Sequence, residues 1–214
     1  MRALLLVDIQ NDFCPGGALP VAAGDDVVLV ANRLIPCFDV VLATMDWHPA
    51  DHGSFAINHP GKRPFEIGEL AGMPQVLWPI HCVQDTPGAA LHPGLQASAI
   101  HCVLRKGTDP VVDSYSAFFD NGRRKSTGLY DILRLRDVDD VVVMGLATDY
   151  CVRATVLDAL DLKLRATVVA DGCRAVELKP GDGQRAMDEM HKAGAQIVCS
   201  DTLTNGPFTL TDRT

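Results

Sequence analysis

The stretch Val141-Val142-Val143-Met144-Gly145-Leu146-Ala147-Thr148-Asp149-Tyr150-Cys151-Val152-Arg153 decides the class of fold. Residues 141–144 are apolar at every position, the pattern of a strand buried on both faces of a parallel sheet. Gly145 releases the chain from that strand. Val152, Val156, Ala159 and Leu160 then recur at helical spacing. The chain therefore passes from strand through a short turn into a helix, with Cys151 at the entrance. Thr148 or Asp149 is expected to cap that helix. A thiol in its first turn would feel the positive end of the helix dipole, which lowers a cysteine pKa and favours the thiolate.

Working outward, the same alternation recurs. Further apolar runs lie at 3–7, 40–43, 102–104, 166–169 and 197–199. Helical spacing links Val27, Val30, Ala31 and Leu34, and again Ala186, Met190 and Ala193, with Gly194 as a stop. A shorter helix is expected around Leu129 to Leu133. Alternating strands and helices predict an α/β fold: a doubly wound, mostly parallel sheet with helices on both faces. A length of 214 residues suits one domain over 1–214. Between His48 and Leu95 periodicity fades and Pro, Gly and His accumulate. Such a loop is usually functional and is expected over the C-terminal ends of the strands, where α/β sheets bind ligands.

Composition narrows the function. With 47% apolar and 21% charged residues the chain can bury a sizeable core. A net charge of −8 argues against nucleic acid or an anionic membrane as partner. The apolar run near the N-terminus is too short for a signal peptide, and none reaches the roughly 18 residues of a membrane span. A cytoplasmic location is expected. The seven cysteines are scattered and include no CxxC pair. A disulfide framework is therefore not expected, and most of the thiols should be small core hydrophobes.

Certain residues stand where chemistry can be done. Asp8 ends the run 3–7, at the ligand-binding edge of the sheet, although a turn-forming Asp fits the same position. Lys106 ends the run 102–104 and could stabilise a thiolate or an oxyanion. Asp46 and His48, two apart on an extended segment, point the same way and can grip one ion. His81, in Trp78-Pro79-Ile80-His81-Cys82, is a natural third ligand. One carboxylate and two imidazoles leave open positions on the metal and suit Zn, Fe(II) or Mn(II). His52 could approach the same ion.

These blocks resemble, over nearly the whole chain and in the right order, the nicotinamidase (pyrazinamidase) branch of the isochorismatase-like cysteine hydrolases. The resemblance rests on Val7-Asp8-Ile9-Gln10-Asn11-Asp12-Phe13, Asp46-Trp47-His48-Pro49, Trp78-Pro79-Ile80-His81-Cys82, Lys106-Gly107, Tyr115-Ser116-Ala117-Phe118 and Gly145 to Val152. It implies a catalytic triad of Asp8, Lys106 and Cys151, and an oxyanion hole at the N–H groups of Ala147 and Cys151. It also implies a non-proline cis peptide between Leu146 and Ala147. The metal ligands it implies are Asp46, His48 and His81, for one divalent ion per chain, zinc first and iron or manganese as alternatives. Phe13, Leu19, Trp78 and Tyr115 would wall the ring. The implied reaction is hydrolysis of nicotinamide to nicotinate and ammonia through a cysteine thioester, in NAD salvage, with pyrazinamide as a further substrate. A homodimer is left open. Rival readings are a same-fold hydrolase of another small amide or vinyl ether, a metal-hydroxide hydrolase in which Cys151 is incidental, and a non-enzymatic thiol-and-metal sensor or binding module.

Overall fold

The computed structural model describes residues 1–204; Asn205-Gly206-Pro207 and the rest of the tail lie outside the described residues. The elements follow in the order β1 (Arg2–Val7), α1 (Asp26–Leu34), β2 (Val40–Asp46), β3 (Ile67–Leu70), β4 (Met73–Val76), β5 (Cys102–Lys106), α2 (Leu129–Leu135), β6 (Asp140–Leu146), α3 (Arg153–Asp161), β7 (Arg165–Arg174), α4 (Asp182–Lys192), β8 (Gln196–Val198) and α5 (Asp201–Thr204).

Six strands form one sheet in the order β5-β2-β1-β6-β7-β8, and every ladder in it is parallel. The apolar runs read from the sequence are its strands. β2 and β6 are buried at every position, as strands covered on both faces must be. Both α1 and α3 pack on β7, α1 joined by α5 and α3 by α4, so that helices cover the two faces. Gly194, at φ +112°, ends α4 as its place after the last apolar position suggests.

From β1 the sheet grows one way through β2 to β5 and the other way from β6 to β8. The reversal falls between β1 and β6, and a crevice opens beyond the strand ends at such a point. The close approach of the two strands there explains Gly145. Its φ is +127°, and a Cβ would run into the Val7 backbone.

The region 48–95 is not the structureless loop its composition suggests. It holds a hairpin, β3–β4, closed by Ala71 and Gly72 at φ +55° and +79°. Positive φ at both central residues matches the twist of the strands they join. The rest of the insert is tied together by single bridges. His48 pairs with Val83, and Phe55 with Trp78.

Candidate active site

Four strands deliver the chemistry. Asp8 follows β1, Asp46 ends β2, Lys106 ends β5, and Cys151 follows β6. Asp46 and Lys106 are register partners in the β2–β5 ladder, so pairing alone sets them side by side. The Lys106 ammonium lies 2.5 Å from Asp46 Oδ1, 2.8 Å from Asp8 Oδ2, 2.9 Å from the Ser114 carbonyl and 3.3 Å from Cys151 Sγ. Asp8 Oδ1 accepts a hydrogen bond from Thr44 Oγ1 at 2.6 Å. Asp8, Lys106 and Cys151 are all buried.

Burial dominates the electrostatics. It pushes the Cys151 thiol well up, against the opposing pull of Lys106. It raises Asp8 as well, again partly offset by Lys106. Lys106 itself is held well above its ordinary value, because Asp46 and Asp8 outweigh the cost of burying it. Against the lowering expected from the helix dipole, burial of the charged form pushes this thiol the other way. The expected cap is corrected too. Thr148–Val152 forms one π-helical turn running straight into α3, with no side-chain cap. Asp149 turns away from the helix and accepts the Val176 and Glu177 N–H groups at 2.9 and 3.0 Å. The Leu146–Ala147 peptide is cis.

Beside the thiol, Asp46 Oδ2 lies 3.7 Å from His48 Nε2 and 3.9 Å from His81 Nε2. Each histidine is oriented from behind, His48 Nδ1 by the Gly107 carbonyl and His81 Nδ1 by that of Pro79, both at 2.8 Å. That arrangement fixes the tautomer, leaving each Nε2 as a lone pair aimed at the carboxylate. Burial, then His48, pushes His81 down to about 4, so it offers a neutral nitrogen. Neutral, the two rings would set lone pairs against a carboxylate, an arrangement that calls for positive charge between them: a proton on His48, which Asp46 favours, or a metal cation. The donor set fits a divalent ion of the zinc type. Gly107 belongs to this cradle: it sits at φ +64°, and a Cβ there would overlap the His48 ring.

His52 stacks on His48 with ring centroids 4.2 Å apart and bonds Ser54 Oγ through Nδ1. It groups with His48 and Asp113 rather than with Asp46 and His81.

Phe13, Leu19, Trp78 and Tyr115 line one cavity with Cys151, Ala147 and the three metal candidates. Tyr150, Asp113 and Val176 line it too and were not singled out from sequence. Tyr150 offered a signal, an aromatic next to the nucleophile candidate; its ring stands edge-on to Trp78 at 4.8 Å. Asp113 and Val176 lie in segments without periodicity. Gln10 stands in the block Val7 to Phe13. Its buried amide accepts the Asp46 N–H and donates to the Asp46 and Ala89 carbonyls, all at 2.8 Å, locking β1 to β2 beside the site. Asp12 does the same for the loops, accepting from Cys82 and Ala18.

The described residues include no helix long and apolar enough to cross a membrane. The family description "Isochorismatase domain" matches residues 2–202. Nicotinamidase of Escherichia coli (strain K12) is 57% identical over 200 residues, 92% of this chain and 93% of that protein. A solved nicotinamidase/pyrazinamidase from Acinetobacter baumanii superposes with TM-score 0.91 at 44% identity, covering 94% of this chain and 97% of its own. Pyrazinamidase of Pyrococcus horikoshii, solved in complex with zinc, gives TM-score 0.74 at 38% identity, over 92% and 98%. A sheet whose strand order reverses beside Cys151, four strand ends that bring Asp8, Asp46, Lys106 and Cys151 together, and a match over nearly all of the chain lead to one assignment: this chain belongs to the isochorismatase family.

Proposed function

We propose that the chain is a nicotinamidase, a single-domain amidohydrolase that converts nicotinamide to nicotinate and ammonia in NAD salvage, and that it deamidates pyrazinamide as well. The observation carrying this is the Lys106 ammonium between Asp8, Cys151 and Asp46 in a buried aromatic pocket.

Each residue then has a task. Burial disfavours the thiolate, so the nucleophile is made when substrate arrives and not before, and the Asp8 carboxylate, paired with Lys106, is the base that makes it. Asp8 takes the thiol proton, and Lys106 holds the pair's charge in place. Cys151 Sγ attacks the amide carbon. The N–H groups of Ala147 and Cys151 receive the oxyanion. Asp8 returns its proton to the leaving nitrogen, ammonia departs, and a thioester remains. Asp8 then takes a proton from water as it attacks the thioester; the C–S bond breaks, nicotinate leaves, and Asp8 returns the proton to the sulfur, restoring the thiol. Asp46, His48 and His81 would hold one divalent ion, zinc first, whose chemistry when bound is a Lewis-acid contact for the pyridine nitrogen. Phe13, Leu19, Trp78 and Tyr115 wall the ring, and burial of its faces supplies binding energy.

The test is ammonia release from nicotinamide by purified protein beside its Cys151→Ala variant. Turnover is expected in the first, with a loss of at least about a thousandfold in the second. Substantial activity in Cys151→Ala would overturn the cysteine mechanism, and no release by folded, metal-loaded protein would overturn the substrate.

A further inference from the structure

The strands of the β3–β4 hairpin are exposed or half-buried at every position but one, and Gln75 is the exception at 4% exposure. Its amide nitrogen lies 2.8 Å from Asp113 Oδ2, 2.9 Å from Tyr115 Oη and 2.8 Å from the Val76 carbonyl. Three surrounding oxygens fix which end of the amide is nitrogen, since the reverse would set oxygen against a carboxylate and a carbonyl. Tyr115 Oη also accepts the Trp78 indole N–H at 3.1 Å. One amide therefore holds Asp113 and Tyr115, and through Tyr115 the Trp78 ring; all three line the pocket.

We propose that Gln75 is a positioning residue for the substrate pocket, and that through it the β3–β4 hairpin sets the enzyme's affinity for the heteroaromatic ring. The hydrogen bonds of Gln75 reach the walls and stop short of Asp8, Lys106 and Cys151. Its loss should loosen the ring without disabling the bond-breaking groups. Asp113 keeps its other oxygen on the Ser114 N–H at 2.8 Å, so without the amide it can pivot about that anchor. The pivot would bring its charge against His48 and His52, with which it already clusters. The inference rests on the nicotinamidase reading.

The experiment compares Gln75→Leu and Gln75→Glu with unmodified enzyme at matched metal content, reading KM and kcat for nicotinamide. Leu removes the donor at similar size, and Glu keeps the length but sets oxygen against Asp113. KM should rise about tenfold in Leu and further in Glu, with kcat within about twofold. In an Asp113→Asn, Tyr115→Phe background, Gln75→Leu should change KM by less than about twofold, because its partners are already lost. The inference is overturned if KM stays put in both single variants. It is also overturned if kcat alone falls with the folded fraction, or if the full KM effect survives in the double background. Unmodified enzyme that releases no ammonia would take down the nicotinamidase reading, and this inference with it; turnover with an unmoved KM sinks this inference alone.

Discussion

At the scale of single residues, Lys106 binds the site together. Its ammonium stands between two buried carboxylates that face each other across it. Replacing it with Met would leave Asp8 and Asp46 as adjacent unpaired charges, at a cost of about 3–5 kcal/mol. Lys106→Met is therefore expected to lose stability along with turnover, read by a thermal melt and an ammonia assay on one sample. A Lys106→Met protein that melts like the parent would show that the carboxylates do not need the cation. Much of this residue scale was legible in the sequence. Asp8, Asp46, Lys106 and Cys151 each end or follow a buried apolar run, and strand ends in a parallel sheet converge on one edge. The pKa of Cys151 was not legible. Position in a turn speaks of dipoles, whereas burial depends on segments distant in the chain.

Among the elements, the loop after β7 is held by a residue of the nucleophile turn. Asp149 grips the N–H groups of Val176 and Glu177, and Val176 lines the pocket. Glu177 in turn accepts from Gly181 and Gly183 at the start of α4, so one chain of bonds runs from the Cys151 turn to that helix. Asp149→Ala would lose two hydrogen bonds to a carboxylate whose donors are only part-buried, at about 1 kcal/mol each. At about 2–4 °C per kcal/mol for a chain of this size, a fall of several degrees in the melting midpoint is expected, together with a raised KM. An unchanged midpoint and KM would mean that the loop holds itself. The six strands of the main sheet and the four longer helices were readable from period alone, apart from their ends. The hairpin was not: its strands are four residues each, and one contains Pro74. Its register comes from a turn at Ala71-Gly72 that no hydrophobic alternation announces.

On the scale of the whole molecule, a metal bound at Asp46, His48 and His81 would join β2 to the insert. Binding to the folded state alone stabilises by about 2.7 kcal/mol at one hundred times the dissociation constant. Chelator-stripped protein reloaded with zinc at that ratio should melt about 5–11 °C higher. His81→Ala should abolish that shift, and a shift that persists in His81→Ala would place the ion elsewhere. The insert tells the reader of the sequence where it lies, through its histidines and prolines, but not how it folds. Its order comes from bridges such as His48 to Val83 and Phe55 to Trp78, whose partners lie far along the chain. Cys151, Asp8 and Lys106, the proposed bond-breaking groups, sit at or just past strand ends whose spacing is set by backbone pairing, whereas Trp78, His81 and Gln75 come from the insert and Tyr115 from the loop beyond β5. Bond-breaking and recognition are thus inherited from separate parts of the chain. A descendant can trade one ring for another by rewriting surface segments, while the machinery that cleaves the amide stays under the guard of the core.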